Sequence, residues 1–88
     1  MTSKTLAGPM VHLNGTSRDE LLRQYSDALY ALSNALDAIG RATPHGRDYY
    51  IQENADKELD QAKAEHRSRL DRILAIQAEY EQLVERIC

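Results

Sequence analysis

Residues 17–40 read SRDELLRQYSDALYALSNALDAIG, and the spacing of their apolar side chains decides the fold. Leu22, Tyr25, Leu29, Leu32, Leu36 and Ile39 recur at alternating intervals of three and four, which is the seam of an amphipathic helix. Leu21, Ala28 and Ala35 flank that seam, and small residues there let a second backbone come close. The start is marked by Ser17-Arg18-Asp19-Glu20, a capping box in which the Ser17 hydroxyl accepts from the Glu20 amide. Asp19 and Glu20 also suit the positive end of the helix dipole. Gly40 and then Pro44 supply stop signals. The pattern predicts a helix of about 22 residues, roughly 33 Å long.

A second, longer helix is predicted over residues 54–87. Leu59, His66, Ile73, Tyr80 and Ile87 fall seven apart, with Ala62, Ile76 and Leu83 on one flank and Leu70 and Val84 on the other. Asp56, Glu58 and Asp60 crowd its first turns and Arg86 sits in its last, matching the dipole. Glu53–Lys57 and Glu65–Arg69 are spaced for surface ion pairs. At roughly 50 Å this helix outruns the first, so its surplus must pack on the N-terminal arm, the connection or another subunit. Leu74 and Ala78 widen the apolar face beyond what one partner helix covers. The fold expected is all-α: an antiparallel helical hairpin with a polar N-terminal arm, assembling into a helical-bundle oligomer. Leu70, Leu74 and Ala78 are the expected subunit contact.

An 88-residue chain forms one domain at most and buries little of its surface alone. Small chains are rescued by disulfides, a metal or a partner. Cys88 is the one cysteine and cannot pair within the chain, so association is the route left. Its free thiol suits a reducing compartment, and the expected location is the cytoplasm. No apolar run approaches the roughly 18–20 residues that span a bilayer, and residues 1–10 carry no apolar signal core. Those residues read as a flexible arm or a non-native remnant ahead of a single domain at residues 11–88.

The net charge of −3 is unevenly spread. Both predicted helices are acidic, whereas the positive segments lie outside them, around Lys4 and Arg18 and around Arg41 and Arg47. A general nucleic-acid binder should show a basic face, so that class is excluded and a small anionic ligand is favoured.

Catalytic patterns are missing. A metal-binding bundle needs Glu-x-x-His or His-x-x-x-His spacing, and His12, His45 and His66 fall in three separate elements. Neither a metal nor a cofactor is expected, and the chain does not read as an enzyme. His66 lies on the second seam, where a hydrogen-bonded or interfacial histidine is the plainer reading.

Two polar segments remain. Residues 12–18, HLNGTSR, place a glycine, two hydroxyls and free amides at a helix N-terminus beside Arg18. Backbone N–H groups there favour anions, including phosphate, although Thr16 and Ser17 can equally serve only as caps while Asn14-Gly15 turns the chain. The connection over residues 40–53 is long for a helical hairpin, and long loops are disproportionately functional. It holds Arg47-Asp48-Tyr49-Tyr50, which supplies a cation and adjacent aromatics for phosphate contact and base stacking. The competing reading has Asp48 capping a turn and a Tyr covering the end of the seam.

HLNGTS leading into a helix, followed by RDYY and a second helix, resembles small helical proteins encoded by tailed phages and prophages. The resemblance spans residues 11–88 and implies a phage origin. By analogy of class, it points to a binding protein, such as an anti-defence sponge that sequesters a nucleotide second messenger. The residues proposed for that ligand are Asn14, Gly15, Thr16, Ser17, Arg18, Arg47, Tyr49 and Tyr50. In one hairpin the two motifs lie at opposite ends, so unless the arm folds back an antiparallel homodimer is what unites them. The alternative is a helical interaction or structural module docking onto a host or phage protein.

Overall fold

A computed structural model describes residues 6–11, 15–50 and 53–88. Two helices dominate: α1 at Arg18–Arg41 and α2 at Ala55–Ile87, with a single 3-10 turn, η1, at Gly46–Asp48 between them. Among the described residues there is no strand. The helices run antiparallel: the start of α1 meets the end of α2 through Arg18 and Ile87, and the end of α1 meets mid-α2 through Thr43 and His66.

The seam forms as the periodicity predicts. Leu21 and Ile87 are buried, while Leu22, Leu29, Leu32, Leu36, Ile39, Leu70, Ile73, Leu83 and Val84 are half-buried. Tyr25 and Tyr80 meet across the seam with ring centroids 5.9 Å apart and planes tilted by 58°. A tilted aromatic pair of this kind contributes about 0.5–1.5 kcal/mol beyond its buried area.

Ser17 caps α1 from an extended conformation, its hydroxyl accepting from the Glu20 N–H at 3.1 Å. The other end differs from the expectation at Gly40. No described glycine has positive φ, so α1 runs through Gly40 to Arg41 without a left-handed glycine cap. Instead the Thr43 hydroxyl donates to the Gly40 carbonyl at 2.6 Å, beside the Thr43 N–H at 3.4 Å, so this end carbonyl is satisfied from beyond the helix. At the start of α2 Asn54 takes the left-handed conformation, φ 56°, which Asn tolerates better than most side chains.

The overhang of α2 beyond α1 is met by the connection: a Cβ on Gly46 would lie 3.7 Å from Leu59, so η1 folds back along the first turns of α2. At the opposite end the Arg86 guanidinium donates to the Leu6 carbonyl, laying the arm against the last turn of α2. Among the described residues the surface ion pairs are Arg23–Glu20 and Arg67–Asp71, not Glu53–Lys57 or Glu65–Arg69. Glu65 instead accepts from Gln61 at 3.3 Å. Such exposed pairs differ by tenths of a kcal/mol, so spacing alone does not choose among them.

The resulting body is thin and long. It measures 63 × 29 × 16 Å with a radius of gyration of 18.8 Å, where a compact chain of this length has about 12 Å. No described side chain is fully buried. The accessible surface is 7135 Å², against about 5,200 Å² for a compact 10.0 kDa chain.

Candidate functional site

The candidate residues separate into two groups at opposite ends of the hairpin. Gly15, Thr16, Ser17 and Arg18 sit at the start of α1, whereas Arg47, Tyr49 and Tyr50 belong to the connection. Asn14 lies outside the described residues.

At the first end the polar atoms already have structural work. Ser17 Oγ accepts from Glu20 N, and Arg18 Nε donates to the Ile87 carbonyl at 2.6 Å. The shallow groove beside them is lined by Ser17, Asp19, Glu20 and Arg23. Two carboxylates there oppose an anion, and the single guanidinium is turned toward Glu20 at 3.9 Å. Gly15 and Thr16 are exposed.

The second end differs in character. His45, in extended conformation, leads into η1, which is closed by Asp48 N–H to His45 O and Tyr49 N–H to Gly46 O, both at 3.0 Å. Those bonds hold the backbone on either side of Arg47, which is exposed and makes no ion pair or side-chain hydrogen bond among the described residues. Tyr49 is half-buried, and Tyr50 stands 74% exposed. A guanidinium and an aromatic ring three positions apart, as Arg47 and Tyr50 are, can together grip a phosphate and stack on a base.

One tertiary hydrogen bond lies outside the candidate ligand residues. His66, only 7% exposed, places Nε2 3.2 Å from Thr43 Oγ1. Because the one hydroxyl proton of Thr43 goes to Gly40 O, its oxygen accepts here and His66 Nε2 donates. This fixes the proton-bearing ring nitrogen and makes His66 a structural latch at the end of α1. Its place on the seam signalled a hydrogen-bonded histidine, but nothing in the spacing named Thr43 as the partner.

Among the described residues no cluster of His, Cys, Asp and Glu is arranged to hold a metal ion, and no helix is long and apolar enough to cross a membrane. No protein-family profile, curated protein or solved structure matches the chain.

Proposed function

We propose that this is a non-enzymatic binding protein that works as a homo-oligomer and takes a small anionic ligand of the nucleotide class at the Arg47 loop. The observation that carries the reading is the pairing of an uncommitted Arg47 with a largely exposed Tyr50 in one ordered turn. Phosphate contact falls to Arg47, with Gly15, Thr16 and the free amides at the start of α1 as the second contact from another subunit. Base stacking falls to Tyr49 or Tyr50. In a phage-encoded protein the natural ligand of such a site is a signalling nucleotide of host defence, which the oligomer sequesters. A panel of mono-, di- and cyclic nucleotides in a thermal-shift assay tests this: at 100 times its dissociation constant a ligand stabilises the fold by about 2.7 kcal/mol.

A second reading, a module docking onto a host or phage protein, is favoured by Tyr30. Its ring is 72% exposed and lies about 150° around α1 from the centre of the seam, where the hairpin has no use for it. On that reading no nucleotide in the panel shifts the melting of the wild type.

A further inference from the structure

The exposed apolar edge of α2 carries a charge pattern that reverses sign about its centre, basic toward the N-terminus and acidic toward the C-terminus. Successive residues turn by about 100°, so Ile76 and Leu74 fall on opposite sides of Ile73, spreading the apolar arc over roughly 160°. One antiparallel helix cannot cover that arc, and Leu74 and Ile76 remain 44% and 40% exposed. The edge through Leu74 continues N-terminally through Leu70 to Arg67 and Lys63, and C-terminally through Ala78 to Glu81 and Glu85. Arg67 and Glu81 stand seven residues to either side of Leu74, Lys63 and Glu85 eleven, and Leu70 and Ala78 four.

We propose that α2 pairs antiparallel with α2 of a second copy across a twofold axis at Leu74. In that register Leu74 meets its own counterpart, and the larger Leu70 meets the smaller Ala78. Arg67 then faces Glu81 of the second copy and Lys63 faces Glu85, each contact occurring twice. A parallel pairing sets like charge against like at the same positions, which selects against it. Lys63, Glu81 and Glu85 make no ion pair among the described residues, and Arg67 is engaged only with exposed Asp71 at 3.2 Å. That exposed pair is weak enough to exchange for an interfacial one. The surface supports the same occupant: the chain exposes roughly 1,900 Å² more than a compact one of its mass, well above the roughly 800 Å² each partner contributes to a standard interface.

The register has a consequence for the ligand site, and that consequence rests on the reading above. The Arg47 turn packs at Leu59, about 22 Å along α2 from Leu74, while Arg18 is held at Ile87, about 20 Å the other way. A twofold at Leu74 therefore brings the Gly15–Arg18 end of one copy to the level of the Arg47 turn of the other.

The test uses two variants of the whole chain and reads mass in solution, with no nucleotide present. Lys63→Glu with Arg67→Glu makes an acidic edge, and Glu81→Lys with Glu85→Arg a basic one. Wild type should have the mass of an even number of 10.0 kDa chains at micromolar concentration. Each variant alone should lose at least tenfold in affinity and fall to a single chain with unchanged helical circular dichroism. An equimolar mixture should regain the wild-type mass. Arg69→Glu with Arg72→Glu alters net charge equally but lies off this edge, and it should retain that mass. A monomeric wild type, or variants that associate alone as the wild type does, overturns the proposal. If the charge variants do not fold, mild diamide oxidation in a Cys88→Ser background decides instead. Leu74→Cys should cross-link to itself, and Arg67→Cys should cross-link with Glu81→Cys but not with itself; self-linking of Arg67→Cys overturns the antiparallel register.

Discussion

Arg18 Nε donates to the backbone carbonyl of Ile87 at 2.6 Å, joining the first residue of α1 to the last of α2. The contact closes the open end of the hairpin, sixty-nine residues apart in sequence. It also places a cation on one of the acceptors that the C-terminus of α2 leaves unpaired, where the dipole is negative. Arg18→Ala should therefore cost about 1.5 kcal/mol, the low end for a hydrogen bond from a charged group at a partly buried site. For a chain this size that lowers Tm by roughly 6–12 °C. An unchanged melting curve would show that the end of the hairpin is closed by packing alone.

Ser17→Ala should cost about 1 kcal/mol, because it removes the acceptor of the Glu20 N–H. The loss should be independent of any nucleotide. If Ser17 is also a ligand contact, the variant shows a reduced ligand shift on top of its lower Tm, which separates the two roles in one titration.

The latch at the other end of α1 predicts a non-additive pair. Thr43→Val removes the acceptor of the buried His66 Nε2–H, leaving that donor unsatisfied at a cost of about 1–3 kcal/mol, while the exposed Gly40 carbonyl keeps the Thr43 N–H at 3.4 Å. Replacing His66 by Leu in the same chain removes that orphaned donor. The double variant should therefore be less destabilised than the sum of the single ones, by about 0.5 kcal/mol or more in a double-mutant cycle by urea denaturation. Additive losses would mean that the 3.2 Å contact carries no energy.

Gly40 offers the opposite sign. It sits within α1, has a helical rather than positive φ, and no neighbouring atom lies within 4 Å of where a Cβ would be. Gly40→Ala should stabilise the protein by up to about 1 kcal/mol, since Ala loses less backbone freedom in a helix. A destabilised variant would show that the chain needs a glycine conformation at the helix end after all.

Which features the sequence disclosed follows from their range. The two seams, with Tyr25 on one and Tyr80 on the other, and the Ser17 cap depend on helical period and local hydrogen bonds, and those are written in intervals of three, four and seven. The Arg18–Ile87 and Thr43–His66 bonds are set by where the hairpin folds back, which no short interval encodes. Gly40 misled for a related reason: a glycine before a proline reads as a stop, yet Thr43 could satisfy the Gly40 carbonyl without a left-handed cap. Of the candidate ligand residues, Arg47 and Tyr50 in the long connection are exposed, because loops leave such side chains outside the packing. Ser17 and Arg18 carried the same polar signal but are occupied by the hairpin itself.

Arg47 separates the two functional readings most directly. Its side chain is exposed and bonds to none of the described residues, while η1 is closed by backbone bonds that the substitution leaves in place. Arg47→Ala should thus change stability by no more than about 0.5 kcal/mol. If Arg47 holds a phosphate, the variant keeps its fold and oligomeric mass but loses the nucleotide-induced thermal shift of the wild type. Tyr50→Ala should behave alike, with a smaller loss because stacking adds about 1–3 kcal/mol per base. If the chain is instead an interaction module, no nucleotide shifts the wild type and both variants melt as it does. A third result, Arg47→Ala melting several kcal/mol lower, would mean that the guanidinium is paired with a carboxylate whose charge is stranded when it is removed. That result assigns Arg47 to the architecture of the loop and removes it from the ligand site.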